Sequence, residues 1–203
     1  MNIDNIKKEF PIFDNKVQNN DLVYLDSANS SQKPQKVINR IYDFYTKEFS
    51  NVGRSVHYLA VAATNFYEKT RTSVQKYINA ESADEIVFTK GATEAINLVA
   101  NTFGQKFLKE GDEVLLTELE HHSNYVPWHF LRKVKNIKIN FAEINDEGQI
   151  TIESIEKKIT KKTKIIALTH LSNVTGEILP INLTELFFLK ISSPYLIISF
   201  SCF

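Results

Sequence analysis

The sequence predicts an α/β fold with a largely parallel sheet, and three observations support this prediction. Short apolar runs that fit buried strands alternate with longer segments whose apolar residues recur at helical spacing. Polar residues follow successive predicted strands, where ligands of parallel sheets are usually bound. The length of 203 residues is sufficient for a sizeable core and indicates one large domain or part of one.

The composition argues against several classes of protein. The 24 basic residues balance the 24 acidic residues, so overall charge gives no reason to expect nucleic acid or an anionic membrane as a partner. The one cysteine, Cys202, excludes an intrachain disulfide framework and a zinc site built on several cysteines. Residues 1–10 have no apolar signal-peptide core, and no run approaches the roughly 20 apolar residues of a membrane span. We therefore expect a cytoplasmic protein.

The first 80 residues are predicted to be mostly helical. Pro34 opens one helix, because proline is tolerated in the first helical turn. The segment 50–57 is predicted to be a loop that exposes Arg54 and His57. The remaining predictions for this region are a short amphipathic helix at 3–10, a strand at 22–25, a polar turn at 26–31 and a long helix at 58–79.

A regular alternation begins after residue 80. Each predicted strand is a short apolar run, and each predicted helix has apolar residues on one side. The predicted strands are 85–88, 113–117, 137–142 and 164–169, and the predicted helices are 93–103, 123–135 and 152–160. This order predicts βα units and hence a parallel sheet.

The segment Phe88–Asn101 joins a predicted strand to a helix through Gly91, with Thr93 where the helix is expected to begin. Free backbone N–H groups and the helix dipole attract anions to such a position. A threonine that only caps the helix explains the same pattern, and such caps are common. The segment alone leaves both interpretations open.

Two more predicted strands also end in polar residues. His121 lies in the segment after strand 113–117, and Asn173 follows strand 164–169. Together with Thr93, these side chains are expected to reach one crevice. The pair His121 and His122 also permits a metal site, but no suitably spaced third ligand is evident. An imidazole, an amide and an anion pocket suit a phosphorylated ring better, so we expect no metal.

Four segments, taken together, resemble the class V aminotransferase family. The resemblance is greater to the SufS/CsdA-type (group II) cysteine desulfurases, which use pyridoxal 5′-phosphate, and it extends over about residues 1–183. The segments, in chain order, are Tyr24–Pro34, Thr89–Asn101, Glu120–Trp128 and His170–Gly176. The resemblance implies the N-terminal part of the fold type I large domain of pyridoxal phosphate-dependent transferases, with an incomplete, mostly parallel sheet and flanking helices.

The resemblance also implies roles for individual residues. Ala92 and Thr93 match positions that bind the cofactor phosphate, although relatives often have a hydroxyl at position 92. His121 matches the imidazole that stacks on the pyridine ring and assists proton transfer, which makes it the candidate catalytic residue. Asn173 matches the amide that binds the phenolic oxygen of the ring. His122 is shared with the family, and packing is its expected role.

The loop with Arg54 and His57 matches one that lies near the active site at the dimer interface of relatives. Relatives have Asn-Val-His-Arg-Gly-Val-His in this loop, whereas Gly53 and Ser55 depart from that pattern here. The backbone of the loop is therefore expected to differ from that of relatives. The resemblance implies a homodimer for the intact family.

The implied reaction removes sulfur from L-cysteine, yielding alanine and an enzyme-bound persulfide that supplies iron–sulfur cluster assembly. The resemblance also implies an acceptor protein for the persulfide sulfur. The cofactor acts as electron sink, while the protein orients it and provides acid, base and nucleophile. Such chemistry requires a lysine that forms a Schiff base and a reactive cysteine.

In relatives, which are about twice as long, the Schiff-base lysine and the reactive cysteine lie well beyond the position of residue 203. We therefore expect both groups to be absent from these 203 residues. Lys90 and Lys190 do not match the lysine motif, and Cys202 is wrongly placed for the nucleophile. A last strand is predicted at 195–200, without the aspartate that follows it in relatives. The segment 184–203 departs from the family and is uncharged from residue 191, so we expect a divergent tail from a frameshift or an early stop.

Three functions are therefore compatible with the sequence. The first is a cysteine desulfurase relative that is truncated and inactive alone. The second is a non-catalytic remnant that binds the cofactor or pairs with another subunit. The third, an unrelated phosphate-binding α/β domain, would need a longer glycine-rich motif such as a P-loop, which the sequence lacks.

Overall fold

A computed structural model describes residues 3–179 and the backbone of 196–201. The chain divides into two compact units, Met1–Phe88 and Thr89–Phe203. We refer to them as unit 1 and unit 2 and describe each by itself. Among the described residues, no helix is both long and apolar enough to cross a membrane.

Unit 1 is built mainly from helices, as its sequence predicts. Its α-helices are α1 (Ile3–Lys7), α2 (Gln35–Asp43) and α3 (Tyr58–Tyr77). Strands β1 (Lys16–Val17) and β2 (Asn20–Asp21) form a small antiparallel pair. A π-helical turn, Phe44–Glu48, continues α2, and short 3₁₀ helices occupy Pro11–Asp14 and Ala83–Glu85.

Local chemistry sets the ends of the two longer helices in unit 1. Pro34 has an extended backbone and precedes α2, so it caps that helix rather than occupying its first turn. His57 precedes α3, and its Nδ1 atom accepts a hydrogen bond of 3.4 Å from the backbone N–H of Ala60. Both helices begin close to their predicted positions because these signals act within one turn.

Two strands predicted in unit 1 are wrong. Residues 22–25 lie outside any strand, and the adjacent pairing stops at Asp21. Residues 85–88 are not a strand either, because Glu85 ends a 3₁₀ helix and the following residues are unpaired. Of these, Ile86 is buried, whereas Val87 and Phe88 are exposed. Apolar runs of this length specify a strand only where a neighbouring strand is available for pairing.

Unit 2 contains the βα alternation that the sequence predicts. A sheet of four parallel strands has the order β4–β3–β5–β6 among the described residues. Its strands are β3 (Glu113–Thr117), β4 (Lys138–Ala142), β5 (Thr163–Leu171) and β6 (Leu196–Ser201), and its helices are α4 (Ala92–Val99), α5 (Gln105–Phe107), α6 (His122–Lys135) and α7 (Ile152–Glu156). The parallel sheet with flanking helices confirms the predicted fold class.

Alternate residues of the strands in unit 2 point to opposite faces of the sheet and build two separate clusters. On β3, Val114 and Leu116 join one cluster with Trp128 of α6. Leu115, between them, joins the other cluster with Ile155 of α7. The central strands are thus buried on both faces, which explains why their sequences are continuously apolar.

Helix α4 continues through a π-helical turn, Ala100–Gly104, into α5 and then into β3. Gly104 is buried against α6, and a side chain there would bring its Cβ within 2.6 Å of Leu131 Cδ2. The absence of a side chain therefore allows a close helix contact. Because α5 leads into the start of β3, we infer that the opposite end of α4 lies toward the edge where β3 ends.

Other predicted elements of the chain agree in type but differ in length. The helix predicted at 3–10 ends at Lys7, and the helix predicted at 152–160 ends at Glu156. The predicted last strand is confirmed as β6, parallel to β5. The boundary predicted between residues 183 and 184 lies outside the described residues.

Candidate functional site

The candidate site lies in unit 2, at the edge of the sheet where the parallel strands end. The segment after β3 leads into α6, and a turn follows β5, its neighbour in the sheet. The chain order directs the start of α4 toward the same edge. His121 and Asn173 follow strands, as the sequence predicts, and we infer that Thr93 lies at the same edge although the strand predicted before it does not form.

Helix α4 begins one residue earlier than the sequence predicts. Gly91 is the residue before the helix and has an extended backbone, so Thr93 lies inside the first turn rather than capping it. No side chain caps this end, and the first N–H groups of a helix lack partners within it. The hydroxyl of Thr93 makes no hydrogen bond to any described residue. Ala92 and Thr93 are exposed, so their donors are available to a ligand.

Side chains near Gly91 hold the segment that leads into α4. A carboxylate oxygen of Glu94 accepts a 2.6 Å hydrogen bond from the backbone N–H of Lys90. The Thr89 hydroxyl donates to the carbonyl of Gly91 at 3.2 Å. Apart from its chain neighbours, no described residue comes within 4 Å of the position that a Cβ at Gly91 would occupy. The segment is fixed locally and leaves open space for an anion beside the helix start.

His121 immediately precedes α6 and caps it. Its Nδ1 atom accepts the backbone N–H of Ser123 at 3.2 Å and lies 2.9 Å from the Ser123 hydroxyl oxygen. A backbone N–H can only donate, so Nδ1 is the acceptor and the proton of the neutral ring is on Nε2. The His121 residue is exposed. The geometry presents a flat ring whose free N–H points away from the cap.

His122 lies next to His121 but makes a different contribution. The two ring centroids are 5.9 Å apart with a steep interplanar angle of 72°. His122 is exposed rather than buried, so the packing role expected for it is limited to this contact. No group of three or more histidine, cysteine, aspartate or glutamate side chains is placed to hold a metal ion among the described residues.

Asn173 lies in the turn that follows β5. The buried Ser172 organises this turn, because its hydroxyl oxygen accepts the backbone N–H groups of Val174 and Thr175. The turn closes through a 3.0 Å hydrogen bond from the Gly176 N–H to the Ser172 carbonyl. Asn173 is half-buried, and its amide makes no hydrogen bond to any other residue that the structure describes. This amide is therefore free to bind a ligand oxygen.

Glu120 lies in this region, and the family resemblance assigns no role to it. Its carboxylate accepts hydrogen bonds from the Thr117 hydroxyl at 2.6 Å, the Asn124 amide at 2.8 Å and the Thr169 backbone N–H at 3.1 Å. Burial raises the pKa of Glu120, and these hydrogen bonds oppose the rise without cancelling it. The spacing of Thr117, Glu120 and Asn124 was visible in the sequence, but their convergence depends on β5.

The predicted loop residues Arg54 and His57 belong to unit 1. Both are exposed, as predicted, and His57 also caps α3. Gly53 has φ of 134°, a conformation that side-chain-bearing residues rarely adopt. The histidine that relatives have at this position could not keep this backbone without strain. The structure thus supports the expected difference in the loop backbone.

Comparison with known proteins identifies the family. The profile of the family described as aminotransferase class-V matches residues 23–186. The chain belongs to the class V aminotransferase family. A probable cysteine desulfurase from Halalkalibacterium halodurans is 47% identical over 181 residues, which cover 89% of this chain and 45% of that protein.

Solved structures of cysteine desulfurases also resemble this chain. An apo cysteine desulfurase from Thermococcus onnurineus gives a TM-score of 0.85 at 33% identity, covering 96% of this chain and 46% of that one. The cysteine desulfurase CsdA from Escherichia coli gives 0.80 at 31% identity, covering 98% and 48%. The chain therefore spans about half the length of the relatives that it matches.

Proposed function

We propose that this chain is the cofactor-binding part of a pyridoxal phosphate-dependent cysteine desulfurase. The observation that carries the proposal is a set of polar groups, toward one edge of unit 2, that make no hydrogen bond to the residues that the structure describes. These are the donors at the start of α4, the Nε2 side of His121 and the amide of Asn173. The similarity to cysteine desulfurases over 89% of the chain supports the assignment to this class.

The residues present fit the chemical groups of pyridoxal phosphate. The N–H groups at Ala92 and Thr93, with the Thr93 hydroxyl, would bind the phosphate, aided by the helix dipole. The exposed His121 ring would stack on the pyridine ring and hold a proton at Nε2. The Asn173 amide would donate to the phenolic oxygen. When bound, the cofactor supplies the electron sink that the desulfurase reaction requires.

The proposal assigns residues 1–183 to the partial cofactor-binding domain and residues 184–203 to a divergent apolar tail. The family match over residues 23–186 supports the assignment of most of the first span.

The complete reaction is proposed for the whole protein rather than for these 203 residues. The substrate would be L-cysteine, and the products would be alanine and an enzyme-bound persulfide. The enzyme would be a cytoplasmic homodimer that passes the sulfur to an acceptor. Arg54 and His57 would serve the dimer or substrate loop. Neither Lys90 nor Lys190 lies in the motif of the lysine that binds the cofactor covalently, so we propose non-covalent binding here and no turnover by this chain alone.

Titration of the purified 203-residue chain with pyridoxal phosphate tests the proposed function. Cofactor absorbance and quenching of the fluorescence of Trp128, the one tryptophan, should show saturable binding and give a dissociation constant. The absorbance of an imine should not appear. Thr93→Val should weaken binding about tenfold, because a hydrogen bond to a charged phosphate is lost. His121→Ala should weaken it about fivefold through loss of ring stacking.

The adjacent histidine provides the matched control for this test. His122→Ala removes the same imidazole one position away and should leave the dissociation constant unchanged. Equal losses for the two histidine variants, or no saturable binding to the original chain, would contradict the proposed site. Alanine production from L-cysteine by the chain alone would contradict the proposed lack of turnover.

A further inference from the structure

The segment between β3 and α6 is tied to three parts of unit 2 through one carboxylate. Oε1 of Glu120 accepts from the Thr117 hydroxyl of β3 at 2.6 Å and from the Thr169 backbone N–H of β5 at 3.1 Å. Oε2 accepts from the Asn124 amide of α6 at 2.8 Å. The side chain thus joins two neighbouring strand ends to the first turn of the helix.

The partners of Glu120 have little freedom to find alternatives. Thr117, Asn124 and Thr169 are almost fully buried, so donors that lose the carboxylate cannot readily turn to water. The Asn124 amide also donates to the Ala167 carbonyl at 2.9 Å, and its oxygen accepts the Trp128 indole N–H at 3.1 Å. Rotation of Asn124 would break both of these contacts. The network therefore requires an acceptor at each oxygen of residue 120.

We propose that Glu120 is a positioning residue that fixes the ring of His121 at the cofactor-binding edge. His121 follows Glu120 directly, and its Nδ1 atom must meet the Ser123 N–H within the first turn of α6. Fixing residue 120 against β3 and β5 holds the backbone from which this ring projects. The importance of the ring for the cofactor rests on the function proposed above, whereas the coupling of Glu120 to the ring does not.

The test compares Glu120→Gln with the unmodified 203-residue chain. Glutamine keeps the shape but places an amide donor opposite one of the buried donors. Long-range ¹H–¹⁵N spectra of the histidine rings report whether the Nδ1 of His121 accepts a hydrogen bond while the proton is on Nε2. We expect the preference for that tautomer to fall about fivefold, the equivalent of one typical hydrogen bond. Binding of pyridoxal phosphate should weaken by a similar factor.

Glu118→Gln is the matched control, because Glu118 is an exposed carboxylate in the same segment that accepts the Ile144 N–H at 3.0 Å. Its His121 spectrum should equal that of the unmodified chain. A folded Glu120→Gln variant with an unchanged His121 spectrum would overturn the proposal, even if its melting temperature falls. That result would show a role in stability alone.

A second variant keeps the proposal testable if Glu120→Gln does not fold. Thr117→Val removes one donor to the carboxylate and retains the carboxylate itself. An intermediate loss of the His121 tautomer preference is expected, and an unchanged preference would overturn the proposal. Absence of cofactor binding by the unmodified chain would instead count against the proposed function, because the tautomer measurement needs no cofactor.

Discussion

Unit 1 and unit 2 both contain amphipathic helices, but the apolar side chains of these helices differ strongly in burial. In unit 1, the apolar side of α2 remains exposed, with Ile41 at 52% and Tyr42 at 66% of full exposure. In unit 2, Leu115 and Trp128 are completely buried, in clusters on opposite faces of the sheet. An amphipathic pattern therefore specifies a helix in both units, whereas burial depends on a sheet for the helix to pack against.

The polar interactions of the two units differ in the same way. The ion pair of Lys47 with Asp43 in α2 of unit 1 is exposed at both ends, and such pairs contribute little to stability. Unit 2 instead contains the Glu120 carboxylate, bonded to three buried neutral partners. Sensitivity to substitution and to pH should thus be concentrated in unit 2.

The largest expected effect comes from removing the central aromatic side chain of unit 2. Trp128→Ala should lower the free energy of unfolding by about 3–5 kcal/mol, because a large buried side chain is replaced by a cavity. Phe66→Ala in α3 of unit 1 is the control, since Phe66 is 43% exposed and should cost about 1 kcal/mol. Urea unfolding followed by far-ultraviolet circular dichroism measures both values. Equal losses would remove the contrast between the units.

A smaller effect should follow from the pH dependence of unit 2. Burial raises the pKa of Glu120 above its ordinary 4.5, so the folded state binds this proton more tightly than the unfolded state. Stability should therefore fall as pH rises from about 4.5 through the folded pKa, with a limiting slope of about 1.4 kcal/mol per pH unit for one proton. Urea unfolding followed by Trp128 fluorescence measures this slope.

The Glu120→Gln variant sharpens that pH experiment. Because residue 120 no longer titrates, the free energy of unfolding of this variant should fall less steeply with pH, by the contribution of one proton. The exposed Glu118→Gln variant should retain it. Identical slopes in the original chain and in Glu120→Gln would show that another group is responsible for the pH dependence.

The smallest effect should be the same in both units. Asn79, after α3, and Asn136, after α6, have left-handed backbones with φ of 56° and 54°. Replacing either by alanine should cost about 1 kcal/mol, because alanine adopts this conformation less readily than asparagine. Replacement by glycine should cost less at both sites. Hydrogen exchange at the ends of α3 and α6 measures the effects, and a much larger loss at Asn136 would show that its side-chain hydrogen bond to Glu110 controls that turn as well.

The sequence predicted the strands before His121 and Asn173 correctly but not the strand before Thr93. His121 follows β3 and Asn173 follows β5, whereas Thr93 follows the segment 85–88, which forms no strand. Their roles toward a cofactor stay predictions. The segment 85–88 has the same apolar character as β3, yet only β3 has parallel neighbours on both sides. Periodicity does not reveal which apolar run will find a partner.

The sequence alone determined the family, the βα order of unit 2 and the helix-starting signals, because these depend on neighbouring residues in the chain. Pro34 before α2 and the segment from Gly91 to Thr93 are such local signals. Only the tertiary structure determined that the carboxylate of Glu120 is the one that is buried and hydrogen-bonded. Glu120 meets Thr169 across 49 residues of sequence, and only the pairing of β3 with β5 brings them together. Hydrogen bonds of this kind depend on the register of strands, which a local pattern does not specify.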